Sequence, residues 1–366
     1  MEQLNTAEIK QDNHQSGEEG NYPLSDLRAF VDDVRAHLIQ WRKSGKNLAL
    51  LTLVNVEGSS PRPIGSQMLV SQTGESVGLL SGGCVESALV SEAQACIERD
   101  QWRMIRYGKA SDYFDIQLPC GSGIDVLIVP ILHEPHVAHT WLVELEHALE
   151  RRVPVQLEMD VIQQVCRVHA LASSEGQREY RKSLQLTRFE AEKTLTSFQR
   201  SYNPKHRVVV VGQGAVFDYF LKMAESFDTE LVAYSNQFYQ SLEKDIYSGN
   251  QCFKPLKSAK SFDHDLLDAY SSLVILSHDH QWDVPVLTQA LSSDVSYISA
   301  LGSQATHQQR LTLLTEAGVS VENRARVKGP AGLNIGGQTP PEIALSIWAE
   351  LISKKTGPEK NNLDKT

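Results

Sequence analysis

The sequence predicts two α/β domains, an N-terminal one with a mixed sheet and a C-terminal one with a doubly wound parallel sheet. The chain has 366 residues, more than one hydrophobic core ordinarily holds, because domains average about 150 residues. Strand-like and helix-like apolar patterns alternate in both halves. At "HRVVVVGQGAVFDYFLKMAES" (206–226) the pattern changes to a solid apolar strand, a glycine turn and a helix. We therefore place the domain boundary near residue 200.

Composition restricts the functional class. The net charge of −10 repels phosphate backbones, and no basic stripe indicates a nucleic-acid partner. No run of about 18 apolar residues predicts a membrane span, and the first residues lack the pattern of a signal peptide. The five cysteines are odd in number and irregularly spaced, which argues against a disulfide framework. We expect a cytoplasmic protein with reduced thiols that binds a small molecule or another protein.

The N-terminal domain is predicted over 21–200, after a polar segment (1–20) that we expect to be disordered. Helical periodicity over 27–41 is followed by a strand over 48–56, two short strands around a Thr73-Gly74 turn, a helix after Gly83 and a buried strand over 124–132. The segment from 135 to 200 is less readable. Its one helix and its amphipathic strands are interpreted as completing this domain.

The C-terminal domain is predicted over 201–354, with a flexible tail over 355–366. Strands at "TELVAYS", "SSLVILSH" and "VSYISAL" alternate with helical stretches, as expected of a doubly wound fold. The last helix should begin with a capping box: Thr339 is the predicted N-cap, Pro340 the first helical residue and Glu342 the third.

The glycine turn resembles a dinucleotide-binding turn in part. Gly212 and Gly214 occupy the first two positions of G-x-G-x-x-G, where glycine lets backbone N–H groups approach a pyrophosphate. The third position is Phe217, whose ring should crowd the helix–strand contact. Ser235 stands near the position where an acidic residue would hold a ribose. The turn therefore indicates a Rossmann-like fold, and it either holds a nucleotide or pterin phosphate or is purely structural.

Two cysteines lie in glycine-rich loops. Cys84 follows Gly82 and Gly83 at the expected start of a helix, where the partial positive charge favours thiolate over thiol. Cys120 lies in "LPCGSG" (118–123), again in a loop. Both are predicted to be functional and to converge on one cleft, whereas Cys96 falls on the apolar face of a helix and should be a core residue.

A polar cluster follows a predicted strand of the C-terminal domain. In "SHDHQWD" (277–283), His278, His280 and Asp283 either surround a metal or cap a helix and line its loop. The glycine-rich segment before the last helix is a further candidate for ligand contact. The polar cluster follows a predicted strand of an open parallel sheet, where ligands of such sheets bind.

Six motifs in order resemble the XdhC/CoxI family of xanthine dehydrogenase accessory factors, over roughly 25–130 and 205–352. They are "GSSPRPIGSQMLV", "SGGCVESAL", "LPCGSGIDVLI", "SHDHQWD", "ALGS" and "GPAGLNIGGQTPPEIALSIWAEL". The resemblance implies a bacterial cytoplasmic chaperone, frequently dimeric, with a Rossmann-like C-terminal domain. It further implies that the protein binds molybdopterin-type molybdenum cofactor, protects it during sulfuration and helps to insert it into a molybdenum hydroxylase. A cysteine desulfurase is a further expected partner.

The resemblance also implies which residues contact the cofactor. Cys84 and Cys120 are the expected contacts to the metal, since a soft metal favours thiolate ligands. The chain departs from the family at Phe217, at Ser235 and over 304–309, where basic residues are usual. The full set of implied cofactor-binding residues is Ser81, Gly82, Gly83, Cys84, Glu86, Pro119, Cys120, Gly121, Gly212, Gly214, His278, Asp279, His280, Gly332 and Gly336.

The sequence is also compatible with two other functions. The Rossmann-like half suggests an NAD(P)-dependent oxidoreductase with His278 or His280 as the acid–base group, although the ribose-binding acid is missing. A degenerate paralogue that only docks a partner enzyme would tolerate Phe217. The expectation is a chaperone rather than a turnover enzyme.

Overall fold

The computed structural model describes residues 31–83, 85–111, 121–133, 139–171, 187–189, 195–236, 251–277 and 280–355. The predicted disordered tail (1–20), all but the first residue of the predicted C-terminal tail, and the side chains of Cys84, Pro119, Cys120, His278, Asp279 and His280 lie outside the described residues. The predicted fold class is confirmed, because an antiparallel α/β part precedes a six-stranded parallel sheet.

The first sheet has five strands in the order β3-β2-β1-β5-β4. Three helices accompany it, and α2 starts three residues after Gly83, as predicted. The elements are α1 (Arg35–Lys43), β1 (Leu48–Glu57), β2 (Gln67–Ser71), β3 (Ser76–Gly78), α2 (Glu86–Arg99), β4 (Arg103–Gly108), β5 (Gly123–Ile131) and α3 (Thr140–Glu150).

The prediction of a mixed sheet was wrong for this domain. All four recorded strand pairings of the first sheet are antiparallel. A helix between two strands usually indicates parallel neighbours. Here α2 connects β3 and β4, which run in the same direction but lie at opposite edges of the sheet. The crossover therefore spans the whole sheet and creates no parallel pair.

The two faces of this sheet are both buried. Helix α2 covers one face, where Leu89, Ala93 and Cys96 pack against alternate residues of β1 and β5. The other face shares a core with α1, α3 and a second, four-stranded sheet in the order β7-β6-β9-β8. Residues of α3, β6 and β9 therefore pack on the first sheet. The strands of the second sheet are β6 (Val155–Asp160), β7 (Val165–Ala170), β8 (Thr187–Phe189) and β9 (Leu195–Tyr202).

Replacing Cys96 by serine should lower the free energy of unfolding. The side chain is 4% exposed in an apolar cluster, and burial raises the pKa of its thiol. A hydroxyl buried there without a new partner costs about 1 to 3 kcal/mol. Denaturant unfolding measures the change, with Cys252→Ser at an exposed cysteine as the matched control. Equal stability of the two variants would contradict a core role for Cys96.

The C-terminal sheet has six parallel strands in the order β12-β11-β10-β13-β14-β15. Numbered within the domain this order is 3-2-1-4-5-6, the doubly wound order of dinucleotide-binding folds. Its elements are β10 (Arg207–Gly212), α4 (Ala215–Ala224), β11 (Glu230–Ser235), β12 (Gln251–Pro255), β13 (Ser271–Leu276), α5 (His280–Ala290), β14 (Tyr297–Ala300), α6 (Gln304–Glu316), α7 (Val321–Arg324), β15 (Val327–Lys328) and α8 (Pro340–Lys355), with 3-10 turns at Ala259–Ser261 and His264–Leu266.

Helices cover both faces of the parallel sheet. Helices α5 and α6 pack on one face, and α4 and α8 pack on the other, where the rings of Phe220 and Trp348 stack 4.5 Å apart. Phe217 is fully buried in this second layer. The ring belongs to the same apolar cluster as Val208 and Val210 of β10, and the expectation that it crowds the helix–strand contact stays a prediction.

Ion pairs and hydrogen bonds join the N-terminal and C-terminal halves of the chain. Arg152, after α3, bonds to Asp268 at 2.7 Å and to Glu230 at 3.0 Å. The backbone N–H groups of Asp32 and Asp33 donate to Asp228. All three acceptors precede or begin strands of the parallel sheet, so these contacts lie at the amino ends of its strands. Within the described part of the chain, no helix combines the length and the apolar character that crossing a membrane requires.

Candidate functional site

The predicted glycine turn lies at the switch point of the parallel sheet, between β10 and β13. A methyl group at Gly212 would lie 2.6 Å from the carbonyl oxygen of Leu276, so the close approach of β13 requires glycine there. Gly214 has a φ of +85°, which favours glycine. A methyl group on Gly214 would meet none of the described atoms within 4 Å. The first glycine therefore has a structural explanation, whereas the second borders open space at the start of α4.

The cluster "SHDHQWD" follows β13 at the same edge of the sheet. Ser277 is buried and α5 begins at His280. Asp283 is fully buried and pairs with Arg310 at 3.2 Å, which favours the structural interpretation of this residue over metal ligation. Among the described residues, no group of three or more histidine, cysteine or acidic side chains is arranged to hold a metal ion.

The loop before α8 is fixed at both ends. The N–H group of Gly332 donates to Glu350 at 2.8 Å, and that of Leu333 donates to the carbonyl oxygen of Ser346. Glu342 accepts hydrogen bonds from the N–H groups of Gln338 and Thr339, so the predicted reach of Glu342 back to its N-cap is confirmed. Between these ends Ile335 is 51% exposed, and Gly336 borders open space within the described structure. Hydrogen bonds therefore hold this loop in place at the carboxyl edge of the parallel sheet.

The Ser81–Glu86 loop is organised by one carboxylate. Glu86 accepts hydrogen bonds from the N–H groups of Leu80 (3.1 Å), Ser81 (2.9 Å), Gly83 (2.9 Å) and Val85 (3.2 Å), and from the Ser81 hydroxyl at 2.7 Å. Gly83 has a φ of +114°, which a residue with a side chain rarely adopts. Glu86 thus fills the concave side of the loop with its own negative charge.

This arrangement revises what the loop offers a ligand. Glycine loops commonly offer their N–H groups to an anionic ligand, but Glu86 occupies those of Ser81, Gly83 and Val85. Burial opposes ionisation of Glu86, but the hydrogen bonds from Ser81 and Leu80 outweigh it and lower the pKa of the carboxyl. Glu86 is therefore ionised at neutral pH. Whether it also contacts a ligand stays a prediction.

Replacing Glu86 by glutamine should destabilise the protein at neutral pH by about 1.5 to 3 kcal/mol, because hydrogen bonds to a charged acceptor are lost. The folded-state pKa lies below the unfolded value, so this stabilisation is complete above about pH 4.3 and is lost as the pH falls through the folded pKa. The difference between wild type and variant should therefore shrink in acid.

Denaturant unfolding between pH 7 and pH 4 and below measures this difference. Glu98→Gln, at an exposed position of the same helix, is the control and should change little. A Glu86→Gln difference that is independent of pH would contradict the account of the loop.

The β1–β2 connection contacts the described parts of both cysteine loops. A methyl group at Gly82 would lie 3.4 Å from Cγ of Pro61, and one at Gly58 would lie 3.2 Å from Cβ of Ser122. Gly121, which follows Cys120, has a φ of +65° and borders open space within the described structure. The two loops therefore approach one connection, while the positions of the Cys84 and Cys120 thiols lie outside the described residues.

An arginine missed by the sequence analysis supports the base of the second cysteine loop. Arg106 pairs with Asp125 at 2.9 Å and donates from Nε to the carbonyl oxygen of Lys109 at 2.8 Å. A side chain at Gly123 would collide with this guanidinium. Arg106 and Asp125 face each other on adjacent strands, and opposite charges on neighbouring strands were the available signal.

The predicted site residues thus form two groups. One group surrounds the β1–β2 connection, and the other lies at the carboxyl edge of the parallel sheet. The ion pairs between the two halves lie at the amino edge, and the five residue steps of β10 separate the two edges by about 17 Å. The predicted convergence of Cys84 and Cys120 on one cleft concerns side chains that lie outside the described residues.

Comparison with known proteins gives consistent matches over both halves. Residues 208–351 match the model of the XdhC Rossmann domain, and residues 41–108 match the model of the XdhC and CoxI family. The chain is 29% identical to the molybdenum cofactor insertion chaperone PaoD of Escherichia coli, covering 93% of this chain and 98% of that protein. It is 24% identical to a Bacillus subtilis protein named as a probable xanthine dehydrogenase subunit, covering 84% of this chain and 92% of that protein.

A solved structure agrees with the fold. A crystal structure described as a xanthine dehydrogenase from Bacillus halodurans superposes with a TM-score of 0.66 at 22% identity, over 90% of this chain and 97% of that one. The resemblance expected from the motifs is confirmed by the two family models, which together cover the glycine turn, the Ser81–Glu86 loop and the loop before α8. The chain belongs to the XdhC and CoxI family.

Proposed function

We propose that this protein binds molybdenum cofactor as cargo, shelters its sulfurated form and assists its insertion into a xanthine dehydrogenase-like molybdenum hydroxylase. The observation that carries the proposal is the match over nearly the whole chain to a protein named as a molybdenum cofactor insertion chaperone. The cofactor is delivered rather than consumed, so the protein acts as a chaperone and not as a turnover enzyme.

The described loops suit such a cargo. Molybdenum bound to sulfur is a soft centre, for which thiolates such as those of Cys84 and Cys120 are fitting ligands. Glu86 already occupies N–H groups of the first cysteine loop, so we assign the pterin phosphate to the glycine turn at the N-terminus of α4. The two groups of residues then contact different parts of one cofactor.

A NAD(P)-dependent oxidoreductase is the less supported alternative. The strand order and the glycine turn suit a dinucleotide, but β11 ends at Ser235, whose side chain is buried, and Asn236 follows. Neither residue supplies the carboxylate that usually binds the ribose hydroxyls. The proposal therefore assigns no redox step to His278 or His280.

The proposed function requires two partner enzymes. A molybdenum hydroxylase receives the cofactor, and a cysteine desulfurase supplies the sulfide. We further propose a homodimer in the cytoplasm. The charge of −10 makes a nucleic-acid partner unfavourable.

Calorimetric titration of the purified protein tests the binding step. We expect molybdopterin-type cofactor to bind more tightly than NAD or NADP under the same anaerobic conditions, because the ribose-binding carboxylate is absent from the end of β11. Equal or tighter binding of the dinucleotide would contradict the proposal and favour the oxidoreductase.

A further inference from the structure

A fully buried ion pair lies behind the carboxyl edge of the parallel sheet. Asp283 on α5 and Arg310 on α6 are both 0% exposed, with Oδ2 and Nη2 3.2 Å apart. The same Nη2 donates to the carbonyl oxygen of Leu301 at 2.8 Å. Val286 on α5 and Leu314 on α6, one turn further along each helix, belong to the apolar core on this face of the sheet. A buried pair of this kind is weak evidence for stability, because desolvation offsets most of the attraction and apolar residues often replace such pairs without loss.

The Asp283–Arg310 pair connects two segments at the carboxyl edge of the parallel sheet. Asp283 lies three residues after His280, in the first turn of α5, and Leu301 is the first residue after β14. One guanidinium therefore ties the start of α5 to the turn that leads into α6. Helix α5 follows β13, the strand that pairs with β10 at the switch point, so the tie acts at the carboxyl edge of these two strands.

The same helix supports a third segment. His307 lies one turn before Arg310 and is buried. A side chain on Gly329 would overlap its ring, so the chain leaving β15 packs directly on His307. Burial, and then the neighbouring charge of Arg310, lowers the pKa of His307, so the ring is neutral at pH 7. One face of α6 thus contacts the segments that follow β14 and β15.

We propose that Arg310 is a positioning residue for the cargo site: through Asp283 and Leu301 it holds the start of α5 and the turn after β14 in the arrangement that the cofactor requires. This inference rests on the proposed function, since it names a residue that acts on the same site without touching the ligand. Both hydrogen bonds come from Nη2 of Arg310, so one nitrogen links the carboxylate of Asp283 to the carbonyl oxygen of Leu301.

The test replaces the pair by apolar residues in the double variant Asp283→Leu, Arg310→Met, which keeps the layer packed. Hydrogen exchange of the apo protein is measured over 277–284 and 301–304, together with the denaturation midpoint and the affinity for molybdenum cofactor. We expect an unchanged midpoint, faster exchange in both segments and an affinity lower by about 10- to 100-fold, as is typical when a residue supporting a ligand is removed. The single variant Arg310→Lys, which retains the positive charge, should keep part of the cofactor affinity that the double variant loses.

Arg326→Met is the matched control, because Arg326 binds carbonyl oxygens of Leu291, Ser293 and Val295, which follow the C-terminal end of α5 rather than its start. It should leave exchange over 277–284 unchanged. Unchanged exchange and affinity in the double variant would overturn the inference. If wild type binds no cofactor, the proposed function fails, and the exchange measurement alone decides whether the pair positions these segments.

Discussion

Phe217→Ala is expected to lower the free energy of unfolding by about 3 to 5 kcal/mol, the range for removing a fully buried phenyl ring. The ring lies in the layer formed by α4 and α8, together with Phe220 and Trp348. Its removal would leave a cavity that these stacked rings cannot fill without leaving their packed positions. Denaturant unfolding measures the loss of stability.

The affinity for cofactor should change little in Phe217→Ala, because the ring points into the core beneath the glycine turn. Tyr219→Ala, at a position of α4 that is 40% exposed, serves as the control and should cost no more than about 1 kcal/mol. A stable Phe217→Ala variant that has lost its affinity for cofactor would identify the ring as a ligand contact and contradict this account.

Serine at Cys84 or at Cys120 should reduce cofactor retention by about 10- to 100-fold, while the folded state persists. Serine is similar in size but replaces a soft sulfur ligand by a hard oxygen, which suits molybdenum in a sulfur environment poorly. The molybdenum content of protein recovered after gel filtration gives the retained fraction for each variant.

Cys252→Ser is the matched control for this pair, since Cys252 is exposed on β12 and lies outside both cysteine loops. Alkylation followed by mass spectrometry gives an independent reading, in which bound cofactor should protect Cys84 and Cys120 but leave Cys252 reactive. If cofactor protects neither loop cysteine and both serine variants retain it fully, the thiols have no role in binding.

Local patterns predicted much of the fold. The helix after Gly83 begins at Glu86, and the helix after Thr339 begins at Pro340, because glycines, a capping carboxylate and apolar spacing all indicate the same ends. The solid apolar strand at 207–212 and its glycine turn predicted the parallel sheet. These features depend on residues close together in the chain, which one sequence displays directly.

Features that depend on distant residues were not predictable. The direction of β4 relative to its neighbour is set by how far α2 crosses the sheet, which periodicity does not encode. Asp283 was considered as a metal ligand or a helix cap, yet its partner Arg310 lies 27 residues away on another helix. Nothing in the segment around Asp283 indicates that pairing.

Glu86 represents an intermediate case. It was assigned to the cofactor through the resemblance, whereas the structure shows it binding the loop's own N–H groups. The available signal was a glutamate at the first position of a helix directly after a glycine loop, where a carboxylate interacts favourably with the free N–H groups of the helix start. This placement favours a structural role for Glu86 ahead of any ligand role.

Reconstitution of a client enzyme distinguishes assisted from unassisted insertion of the cofactor. A molybdenum hydroxylase purified without its cofactor is mixed with sulfurated molybdenum cofactor, in the presence or absence of this protein, and the recovered hydroxylase activity is measured over time. We expect faster and more complete activation with wild type, and less with the Cys84→Ser and Cys120→Ser variants. Activation that is equally fast and complete without the protein, under conditions where free cofactor decays, would contradict a role in cofactor insertion.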